Sequence, residues 1–212
     1  MENFTENSNT VYLSGTVATE PVFSHQVFGE GFYECKISVS RLSDQVDLIP
    51  VTLSDRLIQL NDFKVGKLVC IDGQFRSYNK IIDGRSKLML TVFVREVMEY
   101  DSSNNPNSIE ILGYICKDPV FRTTPFKREI CDILVAVNRA YNKSDYIPCI
   151  TWGRNARYAS TLTIGEKIAL SGRIQSREYQ KVMSNGDTET RVAYEISVSR
   201  INPMDISDDE RE

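Results

Sequence analysis

The chain contains its own sequence twice, and no other feature restricts its folding choices as strongly. "VYLSGTVATEPVF" (Val11 to Phe23) aligns with "IEILGYICKDPVF" (Ile109 to Phe121), placing Gly15 on Gly113, Pro21 on Pro119 and Phe23 on Phe121 at an offset of 98. The same offset carries Val39 to Val137, Arg41 to Arg139, Asp47 to Asp145, Ile49 to Ile147, Pro50 to Pro148 and Arg56 to Arg154, and it becomes 99 at Gly66/Gly165 and Gly73/Gly172. A register held over that distance means two homologous units, each folding in the same way. The 212 residues suffice for two cores of about 100 residues each. We expect a first domain at 1–101, a polar linker at 102–108 within "YDSSNNPNS", a second domain at 109–202 and an acidic tail at 203–212.

Apolar and polar residues alternate within each unit, the signature of half-buried strands. In the second unit the alternation predicts strands near 109–116, 130–139, 146–152, 167–179 and 190–201, with a short helix in "NARYASTL" after the third. Asn185-Gly186 and Asp83-Gly84 mark the tips of the last hairpins. Five strands with a short helix after the third predict an all-β chain of two tandem OB-fold Greek-key barrels. A sandwich of two short sheets is the alternative, less consistent with the strand count and helix position.

Parity assigns side chains to the two faces of a strand. In the third strand of the first unit, Ile49, Val51 and Leu53 form one apolar set, and Cys35, Ile37 and Val39 agree with it on the strand before. Because 98 is even, the same parity puts Ile147, Cys149 and Thr151 inward in the second unit, and Tyr146 and Trp152 outward. Core filling is the ordinary role of such rings. The first unit, however, builds the same strand without them. Two occupants remain for an aromatic outer face: flat ligands such as nucleic-acid bases, or another protein surface.

Composition closes off other classes. The net charge is −4, which argues at first against a nucleic-acid partner. Its distribution is uneven: residues 1–105 carry ten Lys and Arg against fourteen Asp and Glu, whereas the second half without its last ten residues is at +4. No apolar run is long enough to span a bilayer and the N-terminus lacks a leader pattern, so no membrane association and a cytoplasmic location are expected. The five cysteines form no C-x-x-C and read as buried free thiols. His25, the sole histidine, falls in a predicted loop. With no H-x-E, P-loop or nucleophile motif, no catalytic residue, metal ligand or cofactor is expected.

The motifs "IEILGYICKDPVFR", "ILVAVNRAY", "YIPCITWGR" and "IALSGRIQSREY" together resemble the bacterial single-stranded-DNA-binding protein (SSB) family, in a tandem OB-fold form. The resemblance covers about 95 residues of the second unit and the first more weakly. It implies that Tyr141, Tyr146, Trp152 and Tyr179 occupy the four positions at which the family stacks bases, and all four are aromatic. Ser43, Leu48 and Ser54 replace three of them in the first unit, where Tyr78 alone survives near the fourth. Arg154 and Arg177 are the leading phosphate or stacking partners, followed by Arg139, Lys143, Arg173 and Lys181. A clamp loop with Arg122, Lys127 and Arg128, and the hairpin around Asn185, complete the expected site.

The implied function is sequence-independent binding and protection of single-stranded DNA in replication, recombination and repair, with RNA left open. A homodimer presenting four barrels follows by family analogy. The first unit then serves in oligomerisation or extends the groove along the backbone. The tail is acidic but lacks the family's Pro-Phe tip, so partner recruitment through it is not expected. The alternative function is a primosome-like accessory module that uses its OB domains to bind protein.

Overall fold

The alternation read above becomes eleven strands in the computed structural model, which describes residues 8–43, 45–57, 63–82, 84–100, 105–182 and 186–204. The first repeat supplies β1 (Asn9–Val17), β2 (Val22–Val27), β3 (Glu30–Ser40), β4 (Val46–Ser54), β5 (Leu68–Ile82) and β6 (Arg85–Met98). The second supplies β7 (Asn107–Thr123), β8 (Glu129–Arg139), β9 (Lys143–Trp152), a six-residue helix α1 (Arg154–Ala159), β10 (Lys167–Val182) and β11 (Thr188–Pro203). In the second repeat β7 pairs β8, β8 pairs β9, β9 runs parallel to β11, β11 pairs β10, and β10 returns to β7. The first repeat closes in the same order, with β4 parallel to β6 and β1 meeting both β5 and β3. The chain is all-β and consists of two tandem OB barrels.

The inward parity set fills both barrels: Ile37, Ile49, Val51, Leu53, Ile147 and Thr151 are fully buried, and Cys35, Val39 and Cys149 nearly so. Closure needs close strand approach at Gly73 and Gly172, where the register shifts. A Cβ on either would collide with the carbonyl oxygen of Phe93 or Ser197. Burial pushes the Cys35 thiol up to about 12, as expected for a cysteine used as a small apolar group.

The opening strands differ between the barrels. β7 is one long strand with two register shifts, whereas the first repeat breaks it into β1 and β2. β2 joins β3 through a tight turn at Phe28-Gly29, both with positive φ (48° and 81°). His25 therefore lies on a strand, not in the loop expected from sequence. Every residue of β2 is exposed, so no buried face marks it as a strand. The helix expected in the first repeat falls on 58–62, outside the described residues, as do hairpin-tip residues Asp83 and Asn185 and the tail from 205 onward.

A two-fold seam joins the barrels. β1 pairs antiparallel with β7, setting Asn9 against Ile111, Val11 against Ile109 and Leu13 against Asn107. Exchanging the repeats maps this pairing onto itself, so a local two-fold axis passes through the buried Val11–Ile109 pair. Ser14 N donates to Pro106 O and Leu112 N to Ser8 O, each at 2.8 Å, extending the ladder symmetrically. Asn107 and Ser108, read as linker from their polarity, are thus the first residues of β7. Their polarity has a structural use. The Asn107 amide brackets the backbone of Ile174, with bonds of 2.7 and 2.9 Å, and Asn9 does the same to Phe75 at 2.8 and 3.0 Å.

Each barrel also places a fully buried carboxylate against the backbone of the other. Asp47 accepts from Ser176 N at 2.7 Å, and Asp145 accepts from Ser77 N at 2.7 Å. Asp47 is held further by Arg41 (2.6 and 2.8 Å) and faces Arg173 at 3.4 Å, whereas among the described residues Asp145 has one ion pair, with Arg139 at 3.6 Å, and a more distant attraction from Arg76. Burial alone would raise the Asp47 carboxyl, but Arg41 and Ser176 overcome it and hold it below its ordinary value. At Asp145 burial prevails and the carboxyl is raised.

The two carboxylates therefore contribute with opposite sign. Asp47 stabilises above the ordinary carboxylate range and loses that contribution as pH falls through its depressed value. Ionised Asp145 opposes folding at neutral pH, and protonation relieves that cost as pH falls. We expect Asp47→Asn to cost about 3 kcal/mol at pH 7, through loss of a charge-assisted pair. Asp145→Asn should change stability by less than about 1 kcal/mol. Thermal melts separate the two, since 1 kcal/mol moves the midpoint by about 2–4 °C in a chain of this size.

Candidate nucleic-acid interface

The outer face of the second barrel carries the rings where parity put them. Tyr146 and Trp152 on β9 are 46% and 38% exposed, Tyr179 on β10 is 38% exposed, and Tyr141, in the β8–β9 turn with φ 62°, is 95% exposed. Ile150, also of outward parity, is buried. In the first barrel Thr52 and Ser54 are likewise buried despite outward parity: Thr52 bonds Thr91, and Ser54 donates to Glu30 and accepts from Arg56 N.

The predicted site residues are spread over three clefts. The first, of about 750 Å3, brings Trp152, Arg173 and Arg177 of the second barrel together with Lys36 and Arg41 of the first. The buried Glu195 orients Arg177 at 3.4 Å and is itself held by Gln175 at 2.8 Å. The Arg177 guanidinium lies 6.0 Å from the Tyr179 ring centre, within reach for a cation–ring contact. The second cleft, of about 490 Å3, sets Tyr78 and Tyr179 on opposite sides of the seam with Pro50 and Pro148. Tyr78 donates to Glu34 at 3.3 Å, and burial together with that carboxylate pushes its phenol up to about 12.

The third cleft, of about 580 Å3, holds Arg139, Tyr141 and Lys143. It is the two-fold mate of the first, because Arg139 and Lys143 replace Arg41 and Gln45 at the same offset. Tyr146 lies outside all three clefts, with its backbone N–H on Ser77 Oγ at 2.8 Å. Arg154 and Lys181 are exposed but line none of the three clefts.

Several expected cations already have partners. Arg139 and Arg173 face the buried seam carboxylates. Arg122 of the expected clamp loop pairs with Asp132 at 2.8 Å, while Arg128 lines the first cleft. Lys36 and Arg41 were not singled out from sequence. Lys36 carried a usable signal, its outward parity on β3, and Arg41 another, its match to Arg139. What remained hidden was that hairpin residues of one barrel reach the cleft of the other.

Residues 106–204 match the family model described as the Single-strand binding protein family. That match spans the second repeat, from the start of β7 to the end of β11. The chain is 32% identical over 104 residues to "Single-stranded DNA-binding protein A" of Bacillus subtilis (strain 168), covering 46% of this chain and 60% of that protein. It is 33% identical over 81 residues to the "Single-stranded DNA-binding protein" of Clostridium tetani (strain Massachusetts / E88), covering 35% of this chain and 56% of that one. The chain thus spans somewhat over half the length of these relatives. The crystal structure of wild-type single-stranded DNA binding protein from Thermus aquaticus superposes with a TM-score of 0.73 over 94% of both chains, at 18% identity, and so shares the fold. That likeness extends across both repeats, beyond the segment matched by sequence.

Because Trp152 is a surface ring in a barrel whose core is complete without it, Trp152→Ala should cost about 1 kcal/mol of stability. Ile147→Ala, at a fully buried site on the same strand, should cost about 3–4 kcal/mol. Urea titrations of both variants check this ordering.

Proposed function

We propose that the chain binds single-stranded DNA without regard to base sequence and protects it during replication, recombination and repair. The carrying observation is the half-exposed Trp152 ring in a cleft with Arg173 and Arg177, on a second repeat that matches the single-strand binding protein family. A ring and a planar cation held side by side suit stacked bases and phosphates, at about 1–3 kcal/mol per stacked base. Tyr141, Tyr146 and Tyr179 supply further stacking faces. Arg177, kept in place by Glu195, is the leading cation, with Arg154, Lys143 and Lys181 free to follow the backbone. Arg173, already facing a seam carboxylate, contributes mainly to the local field of this cleft. The overall acidity is compatible with this, since positive groups gather at the clefts.

On this reading the domains are those drawn from sequence, except that the second begins at Asn107, and the first carries the weaker platform. The protein works in the cytoplasm as a homodimer of four barrels and requires no cofactor. No described helix is long and apolar enough to cross a membrane. The accessory-module alternative has no specific observation behind it.

Oligo-dT should quench Trp152 fluorescence, with affinity falling steeply as salt rises. Absence of both quenching and a mobility shift at low salt would sink the proposal. Trp152→Ala with Tyr146→Ala should lose about 2–6 kcal/mol of binding, against little loss for Tyr78→Phe, whose hydroxyl serves Glu34. Light scattering should give about twice the 24.2 kDa chain mass. A single monomeric species would remove the dimer.

A further inference from the structure

The first barrel lost the family's ring positions, yet its side of the third cleft contains a ladder of planar groups. His25 stacks on Phe32 with centroids 5.0 Å apart and planes at 14°, and Phe32 meets Phe93 at 5.8 Å and 37°. The Arg76 guanidinium lies 3.8 Å over the Phe93 ring. These are different positions from those of the second barrel. In the β3–β4 register Phe32 stands opposite Ser54, and in β8–β9 Ile130 stands opposite Trp152. Directly opposed residues share a sheet face, so the large ring has moved one strand across without leaving that face. The other members are also new. The parallel contacts Thr52–Phe93 and Ile150–Ser197 make Ser197 the counterpart of Phe93, and the offset of 99 makes Gln175 the counterpart of Arg76.

Charge points to an anionic occupant. Among the described residues Arg76 and Arg95 form no ion pair. Arg76 donates to the neutral Gln74 Oε1 at 2.8 and 3.1 Å, and Arg95 is exposed on the same cleft. Arg139 enters from the other barrel, and its nearest carboxylate is the seam's Asp145. Burial, and then repulsion from Arg139, bring Arg76 down to about 10, against an opposing pull from Asp145 and with a smaller repulsion from Arg95. It remains charged at neutral pH. Arg76 and Arg139 thus share one buried carboxylate, while Arg95, which acts on Asp72, adds a third guanidinium to the cleft beside a stack of rings, with Tyr141 at the rim.

We propose that the first barrel carries a second single-stranded nucleic-acid site, in which Arg76, Arg95 and Arg139 hold phosphates, and Tyr141 and the exposed His25 end of the His25–Phe32–Phe93 ladder receive bases. A strand leaving the Trp152 cleft would then cross the seam into this one, giving each chain two sites. The proposal rests on the single-stranded-DNA reading above and extends it to residues with no counterpart in the second barrel.

The test uses the full chain and fluorescein-labelled dT oligomers of about 12 and about 30 nucleotides, lengths suited to one and two OB barrels. The variants are Arg95→Gln, at an exposed side chain, and Phe93→Leu, which keeps the apolar volume but removes the ring. Each should weaken binding of the longer oligomer about tenfold while leaving the shorter within about twofold. Arg95→Gln should also make the slope of log affinity against log salt shallower by about 0.7 for the longer oligomer. If both variants bind the longer oligomer with wild-type affinity and salt slope while Trp152→Ala weakens it, the second site is overturned and the first stands. If the unaltered chain binds neither oligomer at low salt, both readings fall.

Discussion

The exchange of buried carboxylates across the β1–β7 ladder is the constraint from which the other features follow. Asp47 and Asp145 are fully buried, and each completes the backbone bonding of a strand in the opposite barrel. Asp47 is tolerable as a buried charge only where Arg41 and Ser176 both meet it, so the barrels have one relative position and not a range of them. The polar residues at the repeat junction fit the same scheme. Asn9 and Asn107 extend their amides along the neighbouring strands, and the supposed spacer becomes ladder.

That fixed position determines where the clefts form. Neither the Trp152 cleft nor its two-fold mate belongs to one barrel alone. Each has a wall from one repeat and a basic hairpin from the other, Arg41 in one case and Arg139 in the other. The symmetry is in the backbone, and the side chains have broken it. One wall carries Trp152 and Arg177; the other carries Phe93, Arg76 and Arg95. Asp47 with its two arginines and Asp145 with one show the same divergence inside the seam.

Much of the fold was legible because it depends on periodicity. The repeat, the five-strand order and the inward set around Ile49 and Ile147 come from alternation, which reports burial on one face directly. β2 escaped because both its faces are exposed and alternation then carries no signal. The outward rings Tyr146 and Trp152 were legible by parity, but their distribution over separate clefts was not, since clefts depend on how two barrels meet. The His25–Phe32–Phe93 ladder was hidden for a related reason. It joins β2, β3 and β6, residues up to 68 positions apart, and no spacing rule within one strand connects them.

The paired edges of β1 and β7 have a consequence for the chain's ancestry and its parts. Two identical single-barrel subunits meeting edge to edge would make this same ladder, with Val11 and Ile109 as one residue seen twice. The polypeptide is in effect a homodimer written end to end, and the fusion freed each half to change without the other. Cut back to a single repeat, it would expose a bare strand and an unmatched carboxylate. Such a half-chain would have reason to find a copy of itself and rebuild the ancestral pair.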